Sequence, residues 1–582
     1  MSDEDEIRGP GRQLVVCCDG TNNTLTAGAA DTNVLRLVTH LSRHPSAQRL
    51  LYYDPGVGSP DALPPTDPID WVQRTWDRVT GLASGRGVYD NIAQAYLFLM
   101  HHWRDEHDRI YCFGFSRGAF TARCVAGMVN LFGVLRPEHE ALLPTLIRVY
   151  FSLPAGSGGT LQKATRAVHH ALTRELKAAA EIGGHAGGPV TRDSLARQIR
   201  ALFTTPAGRD AWVHWVGVWD TVESVGLPGP LARSNPSTAT LRGKRIRHVR
   251  HALALDEHRW TFEPRLYEEP GDIGPGDPSG QTLRQRWFPG VHCDVGGSYP
   301  AAEAGLSDEA LAWMVDEVAA DLGVPRLPPD THARRERHDA LWETPWWALA
   351  GMCLRDMRPQ TASGQAIAVI PSSAAPAAVP SVWERRRAAW PLAVALLAGA
   401  VCLLLSGACL QEGGWRTLAS VDGLLAALQA ARGFALDQLA SICGRGLLDG
   451  AHPLSMRTGQ PGWAMAWDLG FIVCWGYLLA RISSRAFAWL AGTRTPTSRL
   501  PAWRALGMAP LAAVGGDVVE DLLTLAALAT HAAGVDMLAA GCVWLAGVAS
   551  LCKFAGLLAC LPLLLVRLRR ALPLTRPVRA ES

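Results

Sequence analysis

One serine of this chain sits where nucleophilic chemistry is easily built. The run Ile110-Tyr111-Cys112-Phe113-Gly114-Phe115-Ser116-Arg117-Gly118-Ala119-Phe120-Thr121-Ala122-Arg123 starts as an apolar, strand-like stretch and ends as a small-residue helix start. Between them, Gly114, Ser116 and Gly118 make a G-x-S-x-G pattern. A strand-to-helix turn this sharp leaves no room for side chains two residues either side of the serine. It lifts the Ser116 hydroxyl out of the sheet to a helix N-terminus, where the Arg117 amide can meet a developing oxyanion. A chain with 57 Gly yields such patterns by chance, so the reading rests on the strand before and the helix after.

A serine hydroxyl is a weak nucleophile without a base and a group that orients the base. Downstream, Val213-His214-Trp215-Val216-Gly217-Val218-Trp219-Asp220 reads as a strand ending in an acid. Further on, Arg286 to Gly297 places His292 just past another strand-like run. The order Ser116, Asp220, His292 is the serine–acid–histidine order of one large hydrolase class, and each residue lies at a strand tip. His248, His251 and His258 compete for the base; they fall in an Arg-rich stretch that reads as helix or turn. Asp294 reads as a loop-fixing acid, and Gly296-Gly297 as a place where backbone approaches something closely.

The elements that must hold these residues are visible as short apolar runs. Residues 14–18 have the continuous apolar character of a strand buried on both faces. They lead into Asp19-Gly20-Thr21-Asn22-Asn23, where Gly20 or Thr21 offers a second oxyanion donor; Asp19 and Asn22 serve equally well as plain turn formers. Asp19 could ligate a metal, but no cluster with ligand spacing accompanies it, so no metal or cofactor is expected. A second strand breaks at Pro55-Gly56, and residues 88–103 have helical periodicity, which makes a βαβ unit with the Ser116 strand. Gly81 to Gly87 lacks the lysine and the preceding strand of a phosphate loop. Residues 137–211 read as a mostly helical insertion with a Gly-rich patch near 183–188, a lid or a surface elaboration.

Composition sets the outer limits. The chain of 582 residues exceeds one ordinary domain, and a net charge of +3 gives no basic footprint for nucleic acid. Its 13 Cys are scattered without a C-x-x-C pair, as expected of reduced, buried thiols. The acidic start Met1 to Glu6 has no apolar core of a signal peptide. Residues 1–360 therefore read as the catalytic domain, the Ala/Pro/Ser-rich stretch within 361–387 as a linker, and 388–582 as a helical membrane region. Pro391 to Leu410 is an uncharged run of bilayer length; Trp463 to Ala480 and a helical pair over 522–566 complete four expected spans. Arg481, Arg485, Arg494, Arg499 and Arg504 occur without an acid, whereas 411–462 balances four Arg with four acids. The positive-inside rule then puts residues 1–387 in the cytoplasm.

Several separated motifs carry a family resemblance. They are Val16 to Asn23, Thr32-Asn33-Val34, Tyr53 to Gly58, Gly114 to Arg123, Gly217 to Val222, Leu253 to Glu257 and Trp287 to Gly297. Over about residues 12–300 the chain resembles the uncharacterised α/β-hydrolase domain family that includes the lipase effectors of bacterial type VI secretion. The resemblance implies an α/β fold with a mostly parallel sheet and a serine hydrolase acting on phospholipid esters. Its partners would be membrane phospholipids and, for a delivered antibacterial effector entering a target cell, a secretion-apparatus component and an immunity protein. A resident membrane lipase of the producing cell and a catalytically silent membrane interaction protein are the alternatives.

Overall fold

The computed structural model describes residues 11–20, 30–56, 86–152, 191–222, 240–353 (without 270–272, 275 and 328–334), 355, 366–367, 369–370, 395, 397–405, 461–493 and 501–571. These divide into two compact units. The first comprises 1–256, 264–338 and 357–378, the second 257–263, 339–356 and 379–582.

The first unit is α/β. Its strands are β1 (Gln13–Cys18), β2 (Arg49–Asp54), β3 (Arg109–Phe115), β4 (Val213–Trp219), β5 (Ile246–Ala254) and β6 (Thr282–Phe288). They form one six-stranded sheet in the order β2-β1-β3-β4-β5-β6, every pairing parallel. The helices are α1 (Asn33–Arg43), α2 (Arg86–His102), α3 (Ser116–Phe132), α4 (Leu143–Phe151), α5 (Arg192–Phe203) and α6 (Gly305–Leu322). Both sheet faces are covered, which is why the central strands are apolar throughout instead of alternating. Leu14, Val16 and Cys112 join α2 to α5 in one core, while Val15, Cys17 and Phe113 join α1 and α6 in the other. The chain order reverses between β1 and β3, and the crevice beyond the carboxyl ends of strands at such a reversal is the usual ligand site of this architecture.

The stretch carrying His248 and His251 is strand β5, not a helix or turn. Its basic residues hide the apolar pattern, although Arg250 and His251 are buried in the strand. Arg250 lies over the Trp215 ring and bonds Glu317 of α6 at 2.6 Å, and His248 Nδ1 meets Thr282 Oγ1 at 2.9 Å. Within the stretch expected to be a linker, Ile370 pairs with the β6 edge: its N–H donates to Gln285 O at 2.7 Å and its carbonyl accepts from Trp287 at 3.0 Å. Residues 81–85 and 183–188, the two Gly-rich patches outside the elbow, lie mostly or wholly outside the described residues. Among the described residues no two cysteines form a disulfide, and burial raises the Cys112 thiol to about 12 and lifts those of Cys17 and Cys18 as well.

The second unit is helical: α7 (Pro461–Thr493), α8 (Pro501–Ala532) and α9 (Asp536–Ala571). The stretch 522–566, expected to hold a helical pair, instead holds the end of α8, a turn at Gly534 with φ of 75° and most of α9. The expected loop over 481–504 is instead helix to Thr493 and again from Pro501. The four membrane spans are not supported: among the described residues, no helix is long and apolar enough to cross a membrane. Charged groups interrupt the three helices, at Asp468 in α7, at Asp517, Glu520 and Asp521 in α8, and at Lys553 in α9.

Those charges meet inside the bundle. Lys553 Nζ bonds Asp517 Oδ1 at 2.5 Å and Glu520 Oε2 at 3.1 Å, and Trp475 Nε1 donates to Asp517 Oδ2 at 2.9 Å. Burial raises the Glu520 carboxyl to about 6, against the opposing pull of Lys553. Burial and then repulsion from Asp468 push Asp521 up as well. A carboxyl whose folded pKa is raised stabilises the fold below its unfolded pKa and loses that contribution as pH rises through the folded value. Lys553 shifts upward too, so its contribution persists until well above neutrality. Amide exchange in 509–560, corrected for intrinsic rates, should therefore show roughly tenfold greater protection at pH 5 than at pH 8. Glu520→Gln with Asp521→Asn should flatten that difference; an unchanged pH dependence would show that other groups carry it.

Candidate active site

The G-x-S-x-G turn is sterically enforced. Ser116 has φ of 59°, a left-handed conformation costly for any residue with a Cβ. A Cβ at Gly114 would collide with Gly118 O and the Ala119 backbone, and one at Gly118 with the carbonyls of Cys18 and Asp19. Both glycines let β1, β3 and α3 close to backbone contact, so Ser116 is held at the carboxyl edge of the sheet beside the end of β1. Arg117 follows in the first turn of α3, and burial lowers its guanidinium to about 10.

Asp220 and His292 come together from 72 residues apart. His292 Nδ1 lies 2.6 Å from Asp220 Oδ2, and both side chains are buried. Asp220 directly follows β4 with φ of 38°; its Oδ1 accepts from Ala254 N–H at 3.0 Å, and its own N–H donates to Ala252 O at 2.7 Å. Both carboxylate oxygens are therefore fixed, one by the neighbouring strand and one by the imidazole. His292 opens a short helical turn, His292–Gly296, after β6. Its ring packs on Phe115, the residue before Ser116, with centroids 4.6 Å apart. A Cβ at Gly296 would strike that same phenyl ring, which gives the Gly296-Gly297 pair its close approach.

His248 and His251, two of the competing histidines, have partners of their own. His251 Nε2 accepts from Thr221 N–H at 3.2 Å, with its Nδ1 3.3 Å from Gln285 Oε1. His258 groups with the second unit. Asp294 accepts from Val291 N–H at 2.9 Å and holds His338 Nδ1 at 2.6 Å, so it fixes the turn that carries His292. His338 is stacked on Tyr299, centroids 3.5 Å apart, and had no signal in the sequence.

A layer beneath the site was not legible residue by residue. Asp19, buried at the end of β1, accepts from Thr32 Oγ1 at 2.5 Å and Tyr53 OH at 2.9 Å through one oxygen, and from Gly20 N–H at 2.7 Å through the other. Thr32 caps α1 by accepting from Leu35 N–H, and Asn33 Nδ2 donates to Val295 O and Ser307 O, both at 2.9 Å. One network thus ties the loop after β1 and the end of β2 to the His292 turn. The Gly20 amide is spent on Asp19, and Thr21 lies outside the described residues. Arg123 of α3 donates to the carbonyls of Arg265 and Leu266 and lies over Tyr267, which fixes α3 from its inner side. Among the described residues, the compact group with metal-ligand types is Asp105, Glu106 and His107, before β3 at the sheet's opposite end.

The sequence model of one family, described as T6SS, phospholipase effector Tle1-like, catalytic domain, matches residues 12–317, more than half of the chain. The chain belongs to this family. The Tle1-like catalytic region thus takes in all six strands, Ser116, Asp220 and His292, and most of α6. An uncharacterized protein of Saccharomyces cerevisiae, YEL023C, is 29% identical over 259 residues, which make up 44% of this chain and 32% of that protein. The match spans about a third of the relative's length. No solved structure matches.

Proposed function

We propose that the chain is a serine esterase of the α/β-hydrolase type that cleaves carboxylic ester bonds of membrane phospholipids. The observation that carries it is the buried Asp220–His292 bond, packed through Phe115 against the strained turn at Ser116. Ser116 Oγ attacks the acyl carbonyl while His292 Nε2 takes its proton. The imidazolium then protonates the departing alcohol, and water repeats the sequence to release the fatty acid. Asp220 holds the imidazole with Nδ1 protonated and stabilises its charged form. The Arg117 amide at the start of α3 faces the tetrahedral oxyanion.

Family membership supports phospholipid as the substrate and delivery by a type VI apparatus, with an immunity protein in the producing cell. The working place of such an enzyme is the membrane surface. The test is incubation of the purified chain with vesicles of phosphatidylethanolamine and phosphatidylglycerol, following fatty acid and head group separately. Fatty acid and lysophospholipid should appear in equal amounts. Head-group release without fatty acid would remove the acyl-ester mechanism.

A further inference from the structure

The helical unit distributes its residues the wrong way round for a bundle in water. Of 17 large apolar side chains exposed among the described residues, 14 fall between Leu397 and Leu558 and only three in the sheet unit. On α9, Leu538, Trp544, Leu545, Val548, Leu551 and Leu558 are all exposed, and their positions at 100° per residue fall on one side of the helix. The opposite side buries Ala546, Ala549 and Cys560 and carries the half-buried Lys553. On α8, Val519 and Leu522 are exposed while Asp517, Glu520 and Asp521 are buried.

The contact between α8 and α9 follows the same inverted rule. A Cβ on Gly516 would collide with the α9 backbone at Ala549 and Lys553, and one on Gly556 with the α8 backbone at Ala509 and Ala513. The helices thus approach through glycine and alanine and are tied by Lys553, Asp517 and Glu520. Small residues and inward polar bonds are how helices associate when hydrocarbon, not water, surrounds them. A water-facing pair would bury its Leu and Trp and expose its acids.

We infer that the outward face of α8 and α9 rests on a phospholipid surface without crossing it. A second copy of the chain would account for the exposed apolar side chains, but not for the buried charges and the glycine-lined contact. The choice of phospholipid rests on the phospholipase reading; the inverted burial does not.

The experiment uses the full chain with Ser116→Ala, so that lipid is not consumed, in flotation with phosphatidylethanolamine/phosphatidylglycerol vesicles. This protein should float, and adding Leu545→Glu with Leu551→Glu should lower the bound fraction at least tenfold. Leu202→Glu, an exposed apolar position on α5, should leave flotation unchanged. In the Ser116 background the Glu pair should leave turnover of a soluble short-chain ester as it was, which shows that the sheet unit remains folded. Amide protection in 509–560, preserved in the Glu pair, shows the same for the helices. Failure of the Ser116→Ala protein to float, or equal flotation of the Glu pair, overturns the inference. So does a lipid-independent dimer that the Glu pair dissociates while flotation persists. Absent ester hydrolysis with flotation intact would instead count against the proposed function alone.

Discussion

Replacing Ser116 with alanine should abolish labelling by a fluorophosphonate probe and lower ester turnover by roughly 10⁶-fold, to the rate of an unactivated site. The expectation follows from how much of the local fold serves that one hydroxyl. Gly114 and Gly118 are held against neighbouring backbone, and Ser116 occupies φ of 59°. A left-handed conformation at a residue with a Cβ costs of order 1 kcal/mol or more, and such strain persists only where the surroundings impose it. Ser116→Gly removes both the hydroxyl and the strain, so it should be inactive yet more thermostable than the native chain, by about 1 kcal/mol. The two variants separate chemistry from stability. Full labelling of Ser116→Ala would place the nucleophile elsewhere, and an inactive but less stable Ser116→Gly would mean that the turn is not strained.

The parts legible in the sequence were those whose signal is local. The Ser116 turn is written in two glycines, and β1, β3 and β4 in apolar runs that only a sheet covered on both faces requires. Asp220 and His292 could be chosen because each follows such a run. Three features escaped. Strand β5 escaped because Arg250 and His248 are held in it by partners, Glu317 and Thr282, that lie far along the chain. The Asp19 network escaped because its donors come from Thr32 and Tyr53, neither adjacent to it in sequence. The helical unit was misread because hydropathy counts apolar residues without saying which way they face. Asp517, Glu520 and Lys553 point at each other, and that arrangement is visible only once α8 and α9 are paired.

Asp220→Asn should be the most informative of the remaining changes, because it alters one hydrogen bond and little else. In the native chain Oδ1 accepts from Ala254 N–H at 3.0 Å and Oδ2 lies 2.6 Å from His292 Nδ1. Asparagine keeps one oxygen. If that oxygen stays on Ala254, where the backbone can only donate, the amide NH₂ faces His292 and turns Nδ1 into an acceptor. The proton is then on Nε2, where it cannot accept from Ser116, and the imidazolium loses its counter-charge. Turnover of a soluble ester should fall by roughly 10³–10⁴-fold with KM little changed, since the acid touches the base and not the substrate. His292→Ala should fall at least as far, and Asp220→Asn in that background should cost little more, because residues acting as one unit are not additive. The melting temperature of Asp220→Asn should stay close to the native value, as its bond to β5 survives. Near-native turnover in Asp220→Asn would remove Asp220 from the proposed triad. A harmless His292→Ala beside an inactive His258→Ala would move the base to His258.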